Sequence, residues 1–377
     1  MATPEVIVSR HVRLDVPADQ DPAEAARSQD LEVALDEGRR VRLQAANERS
    51  TSYAQILSGL ERLRLPVYLE VDPDSHIIKM LRIPEVGRAG EMREIEQGFE
   101  FQLDSSQMRF LLRKGGERFG PLSEILREAV RSLRPLILTN DERGEVIDIR
   151  FFEPGPGDGP FPNFPWPRPR PVPDWEWLIR WLRWPIWPWR WWVRGCISSS
   201  HAQQSFNAMS ATTCAPLTVP APCIPFLYPD DGCWARAHEM CRLMIASGLS
   251  PRKVWIQGSL HTPTRNNPSC FVNWGWHVAP TLCVVRPLLL RWPWSWLWIA
   301  NTMVIDPSLF TGPVTVAQWK SVQGDPGATL TYTDASDYLW GQTDPTYSKT
   351  ADRLAYYRLQ LQARAINSGP PPYAYCP

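Results

Sequence analysis

Proline has no backbone N–H and holds its own φ near −65°, so a stretch with Pro at every second or third position can enter neither a helix interior nor the middle of a sheet. Such a stretch, PGPGDGPFPNFPWPRPRPVP, follows Glu153 and divides the chain. Eleven of the 38 Pro in this 377-residue chain lie between Pro154 and Pro188, and nine of the 19 Trp lie between Trp166 and Trp192. The two flanks differ in composition. Residues 1–150 hold 27 acidic and 22 basic side chains and no Cys or Trp, whereas all eight Cys lie from Cys196 onward. The expected organisation is an N-terminal domain over 1–153, a Pro/Trp-rich linker over 154–194, and a C-terminal domain over 195–377. Within the linker, Asp174 can cap a short amphipathic helix that Pro185 ends.

An apolar content of 44% gives material for a real core, and 40 basic against 40 acidic residues give no polyanion-binding balance, so nucleic acid is excluded as the expected partner. The opening MATPEVIVSRHVRLDVPADQ lacks the basic and apolar regions of a secretory signal. The apolar stretch Val284–Ile305 carries Arg286, Pro287, Arg291 and Pro293, which argue against a bilayer span. Localisation is therefore expected to be cytoplasmic, or reached by a signal-independent route. No C-x-x-C pair appears, so neither a zinc site nor a redox motif is indicated. The linker's Trp and Arg suit three roles: packing into a groove of the C-terminal domain, contact with a membrane surface, or an inhibitory strap across a cleft. The residue pattern alone does not select among them.

Laying residues 1–153 over themselves at an offset of 69 aligns Arg40 with Arg109, Ile56 with Ile125, Leu57 with Leu126, Pro66 with Pro135, Leu69 with Leu138 and Asp72 with Asp141. Each copy reads as a helix (Tyr53–Arg64; Ser123–Leu133), a Pro, and two apolar runs around a polar turn. Two helix-hairpin units pairing their apolar faces would make one α+β domain. Nothing in 1–153 assembles into a catalytic constellation.

The chemistry is expected in the C-terminal half. In CIPFLYPDDGCWARAHEMCRLM a Pro/Gly turn runs straight into a helical stretch, which places Cys233 at a helix N-terminus. Free N–H groups there would stabilise a thiolate, lowering its pKa, and could hold an oxyanion. A lone Cys is more commonly a small buried apolar residue, so a partner base is required. Among six His, His11 and His76 belong to the other domain and His201 to a Ser-rich approach. His238 lies about 140° round the same helix as Cys233, by the period of ~3.6 residues per turn. His261 is in the polar stretch HTPTRNNPS, and His277 opens a strand in VNWGWHVAPTLCVV. A rigid strand is where a general base is best held, and WIANTMVIDPSLF supplies Asp306 to orient it. Trp234, Trp274 and Trp276 flank these residues and either line a glutamine pocket or pack beside it.

The segment CIPFLYPDDGCWARAHEM, the WGWHVA around His277 and IDPSLFTGPVT resemble bacterial protein glutaminase, a family that deamidates glutamine side chains in proteins, over about residues 206–319. The resemblance implies an α+β fold related to transglutaminase and papain-like thiol hydrolases. It also implies Cys233 as nucleophile, His277 as acid and base, Asp306 as its orienter, no metal or organic cofactor, and a protein or peptide substrate with an exposed glutamine. Two departures stand out: Pro280 shortly after His277, for which a bulge or edge position is expected, and the Trp-rich VRPLLLRWPWSWLW before Asp306. Transglutaminase or peptidase chemistry could use the same three residues, and an adaptor with a degenerate domain would need none of them.

Overall fold

The computed structural model describes residues 4–17, 19–45, 47–153, 195–219, 222–289 and 296–377, with side chains left aside for 286–289 and 296–299. The Pro/Trp-rich linker, with its expected helix, lies outside the described residues, as do residues 290–295 of the Trp-rich segment before Asp306. The described residues form a mixed α/β structure of seven helices and several small sheets.

The N-terminal half repeats one order of elements, apart from one additional helix in the first run. The first run is β1 (Glu5–Ser9), β2 (Val12–Leu14), α1 (Pro22–Ser28), β3 (Leu31–Leu35), β4 (Arg40–Leu43), α2 (Ser50–Leu63), β5 (Val67–Val71) and β6 (Ile78–Arg82). The second is β7 (Glu85–Arg88), β8 (Arg93–Ile95), β9 (Gly98–Gln102), β10 (Arg109–Arg113), α3 (Phe119–Ser132), β11 (Pro135–Asn140) and β12 (Val146–Phe151). Each run pairs its first strand with the strand after the long helix, β1 with β5 and β7 with β11. Even irregularities recur at the 69-residue offset. Both long helices end in a left-handed non-glycine residue, Arg64 and Leu133, and both hairpins shift register, at Glu70/Val71 and at Thr139/Asn140.

The two runs do not close on each other as expected. The second has a core of its own, from Ala89 through Phe110 and Leu126 to Ile149. The first shares one continuous core with the C-terminal half, in which Ile56, Leu57 and Leu81 join Trp234, Tyr357 and Leu361. The reason lies in α7 (Ser348–Ser368), whose apolar and amide side chains face α2. A Cβ on Gly59 would come within 2.7 Å of the Leu359 side chain, so the missing side chain of α2 is what lets the two helices meet. Polar contacts fix the register: Tyr53 donates to Asn367 Oδ1 at 2.7 Å, Gln362 to Gln55 Oε1 at 2.9 Å, and Tyr356 to the Pro84 carbonyl at 3.1 Å.

In the C-terminal half, β13 (Ile197–Ser198) leads into α4 (Ser199–Ser210), and α5 (Cys233–Ala246) precedes the long β14 (Arg252–Pro263) and β15 (Phe271–Leu289). They are followed by β16 (Trp296–Val304), β17 (Val314–Thr315), α6 (Val316–Ser321), β18 (Thr329–Asp334) and the small hairpin β19 (Asp337–Leu339) and β20 (Gln342–Thr343). The sheet order is β17-β16-β15-β14-β18, with β13 running parallel beside β15. Val284–Ile305 is thus mostly sheet, and among the described residues no helix is long and apolar enough to cross a membrane. Pro280 lies in the central strand with no bulge beside it; the β14–β15 register shift falls at Gln257/Leu260 instead. The Pro280 carbonyl accepts from Ile305 N at 2.9 Å, and its ring nitrogen faces that same side, where the β16 ladder begins only at Thr281 opposite Val304. The absent N–H therefore costs only the return bond to Ile305, at the very end of the β16 ladder.

Three disulfides tie this half together: Cys196–Cys283, Cys214–Cys223 and Cys270–Cys376, closing separations of 87, 9 and 106 residues. Cys233 and Cys241 are free and buried.

Replacing Gly59 by Val should wedge α2 from α7 and cost about 1–3 kcal/mol, as overpacking of a close contact does. A thermal melt of the full chain reads this, and an unchanged midpoint would show the helix pair to be loosely packed.

Candidate active site

The nucleophile candidate is delivered by a tight turn, Pro229-Asp230-Asp231-Gly232. Gly232 has φ +81° and ψ +16°, a left-handed conformation that glycine adopts without strain, and a Cβ there would lie 2.3 Å from the Tyr357 ring. Helix α5 can start at Cys233 only because this position has no side chain. Buried cations hold the turn. Arg236 donates to the Tyr228 carbonyl at 2.9 Å and to the Asp231 carbonyl, while Arg364 pairs with Asp230 and donates to the Leu227 and Asn266 carbonyls at 2.8 and 2.9 Å. Trp274 Nε1 donates to the Asp230 carbonyl at 2.8 Å.

His277 in β15 is hydrogen-bonded to Asp306, just beyond the end of β16, and Cys233 stands at the start of α5. The Val278 backbone N–H, next in the chain to His277, lies beside the Cys233 thiol. His277 Nε2 donates to Asp306 Oδ2 at 2.9 Å. Asp306 also accepts from Trp319 Nε1 at 2.9 Å, from Ser308 N at 3.2 Å and from the Ser308 hydroxyl. Burial works to raise the Asp306 carboxyl, but His277 beside it and the bonds from His277, Ser308 and Trp319 overcome that and hold it below the usual range. The imidazole is clamped between two indoles, Trp274 at 4.4 Å between ring centroids and Trp319 at 5.5 Å. Its other nitrogen, Nδ1, is buried without a hydrogen-bond partner. A buried polar atom left unpaired calls for an explanation.

The thiol departs from expectation. Burial pushes Cys233 well above the ordinary thiol range, with Arg236 as the main opposing influence. At the helix N-terminus, Cys233 N–H donates at 3.1 Å to the side-chain carbonyl of Gln107. Gln107 is in the β9–β10 loop, in the half for which the sequence pattern predicts no residue at the site. It is wholly buried, and Cys233, His277 and Asp306 are 1%, 1% and 3% exposed. Its backbone lies along β15 as a short strand would, with Gly275 N donating to its carbonyl at 2.9 Å and Met108 bridging Trp274. This loop thus lies over the helix start and β15.

The remaining sequence candidates take other places. Trp234 and Trp276 pack on each other at 5.5 Å, with Tyr357 and Trp255 beyond them, as core residues. Trp274 steadies His277 and the nucleophile turn. His238 is buried between Tyr338 and Tyr347 with Lys253 Nζ at 3.0 Å from its Nδ1. His261 is on β14, bonded to Asn273 at 2.7 Å. Sequence reasoning passes over Ser308, Trp319 and Gln107. The D-P-S spacing is a usable mark for Ser308, since an Asp side chain commonly accepts from the N–H two residues on, whereas the other two carry no local signal. Among the described residues no group of three or more His, Cys, Asp or Glu is placed to hold a metal ion.

Residues 202–323 match a family model described as a glutaminase. This stretch is a glutaminase-family domain. The match makes it an enzyme domain and agrees with the position of the helix start and the two strands just described. Among solved structures, a pro-protein-glutaminase crystal structure is 20% identical, covering 78% of this chain and 97% of its own, with a TM-score of 0.47. A protein-glutaminase crystal structure is 27% identical over 43% of this chain and 91% of its own, with a TM-score of 0.36. The NMR structure of protein-glutaminase from Chryseobacterium proteolyticum is 27% identical over 41% and 84%, with a TM-score of 0.35. A search of curated proteins finds no match.

Behind the nucleophile turn, Glu85 of β7 is buried near Asp231, and burial followed by the Asp231 charge pushes its carboxyl up to about 8. The folded chain therefore holds a proton that the unfolded chain releases near 4.5. The stability this contributes is complete below the unfolded value and is lost as pH rises to about 8. Glu85→Gln, which needs no proton, should melt above the parent at about pH 9 and level with it at about pH 5. A gap that is constant with pH would show Glu85 to be ionised throughout.

Proposed function

We propose that the C-terminal half is a thiol hydrolase of the transglutaminase and papain-like kind that deamidates glutamine side chains of proteins or peptides, with Cys233 as nucleophile, His277 as acid and base, and Asp306 as its orienter. The observation that carries the reading is the amide already in the site: a glutamine side chain whose carbonyl oxygen is held at 3.1 Å by the N–H of the nucleophile's own residue. That oxygen occupies the position an oxyanion would take, and the helix start supplies the donor.

The thiol gives its proton to Nδ1 of His277, the nitrogen without a partner, and the sulfur attacks the amide carbon. Transfer within a buried pair is what a raised thiol requires, since a free thiolate is not present in advance. The imidazolium that forms is stabilised by the Asp306 carboxylate on its other nitrogen and returns the proton to the departing ammonia. Water, deprotonated by the same imidazole, then cleaves the thioester and leaves glutamate. Trp319 and Ser308 act by positioning Asp306, and Trp274 by holding the ring between two aromatic faces.

Three disulfides favour an oxidising compartment over a reducing cytosol, and we propose that the chain works there.

Ammonia release from a glutamine-rich protein by the full chain, with its covering loop displaced by Gln107→Lys, tests the reading. Cys233→Ala in that background should abolish release, and Asp306→Asn should lower kcat by about 10²–10⁴-fold. A labelled amine appearing in the substrate would instead make the enzyme a transferase.

Trp319→Phe keeps the ring against His277 and removes one hydrogen bond to a carboxylate, a loss of about 1.5–3 kcal/mol that corresponds to about 10–100-fold in kcat. KM should be unchanged, and a matching rise in KM would place Trp319 in substrate binding.

A further inference from the structure

Gln107 is held by every polar group it has. Its N–H donates to Asp231 Oδ1 at 3.0 Å, its carbonyl accepts from Gly275 N at 2.9 Å, its Oε1 accepts from Cys233 N at 3.1 Å and its Nε2 donates to the Pro229 carbonyl at 3.3 Å. A plug need only fill space. This side chain has its amide oriented, with the oxygen on the helix-start N–H and the nitrogen turned toward an acceptor on the other side. The residue whose N–H holds the oxygen also carries the thiol.

Resting on the deamidase reading, we propose that Gln107 is the enzyme's own first substrate: Cys233 deamidates it within the same chain, and the glutamate so formed at position 107 unseats the β9–β10 loop and opens the site. The step balances without an added reagent. A bond forms between Cys233 Sγ and Gln107 Cδ as the thiol proton passes to His277. The Cδ–Nε2 bond breaks, and the nitrogen leaves as ammonia with the proton from His277. Water then adds its oxygen to Cδ, giving a proton to His277, the C–S bond breaks, and the sulfur recovers that proton. The side-chain amide and water become a side-chain carboxyl and ammonia.

The product does not fit where the substrate did. Nε2, a donor to the Pro229 carbonyl, is replaced by an oxygen that has no hydrogen to give when ionised, so two acceptors face each other at the former hydrogen-bond distance. The new charge is fully buried, in a place that already contains Asp231 and, behind it, Glu85, both with carboxyls pushed up by burial. A buried carboxylate that has lost its hydrogen bond is relieved by moving into water. The matching loop of the first run, between β3 and β4, is a short turn at Asp36–Gly38 and carries no such residue.

The test reads residue 107 directly. Full-length wild type and Cys233→Ala are purified in parallel, and the peptide containing position 107 is examined by mass spectrometry. Glutamate is expected there in nearly all wild-type molecules and glutamine in nearly all Cys233→Ala molecules. A trace of wild type mixed with Cys233→Ala should leave the latter's Gln107 intact. Gln107 retained in wild type overturns the inference, as does glutamate in both proteins, which would mean spontaneous hydrolysis, or conversion in the mixture, which would mean reaction between molecules. The deamidase reading is followed separately through Gln107→Lys, whose charged side chain cannot stay in the buried site, with a blocked glutaminyl dipeptide as probe. Ammonia from this variant together with glutamine retained in wild type removes the inference alone. No ammonia and no conversion remove both.

Discussion

An α-helix leaves its first N–H groups without acceptors in the backbone, and at the start of α5 one of them is satisfied by the side-chain amide of Gln107. Much else in the molecule serves that contact. Gly232 lets the helix begin against Tyr357, Arg236 and Arg364 neutralise and fasten the acidic turn before it, and Asp231 is held in place to receive the backbone of the incoming loop. The same N–H that would stabilise an oxyanion is occupied by a neutral carbonyl oxygen of the same shape. Cys233, His277 and Asp306 are all buried, and burial is what raises the thiol.

The two runs of the N-terminal half divide the work of bringing that loop to the site. The first is fused to the C-terminal half through α2 and α7 in a common core, so it anchors. The second has an independent core and extends its β9–β10 loop over β15. Elements in the same order thus acquire different roles because one hairpin connection is a tight turn and the other reaches across to a neighbouring strand.

The elements that carry the proposed Cys, His and Asp are legible because each residue stands beside a local signal: a Pro/Gly turn before Cys233, an alternating run around His277, and an apolar run ending in Asp-Pro at Asp306. Helices α2 and α3 and their hairpins are legible for the same reason, since 3.6- and 2-residue periods survive in short windows. The assignment of Trp234 and Trp276 to core and of Trp274 to the imidazole is not, because all three occupy equivalent local patterns and differ only in what lies opposite. The bulge expected at Pro280 is absent because the cost of a proline in a strand depends on where the neighbouring strand stops.

The sequence by itself determined which reactive groups are candidates for a site, because thiol, imidazole and carboxylate are properties of residues and their local settings. It also determined that the Pro-rich segment would separate two compositions. Only the tertiary structure decided that Gln107 fills the site, that Trp319 and Ser308 hold Asp306, and that the first run shares a core with residues more than a hundred positions away. The physical reason is that a hydrogen-bond partner or an apolar neighbour across such a separation is chosen by the closure of the whole chain, and its energy leaves no periodic mark on either stretch.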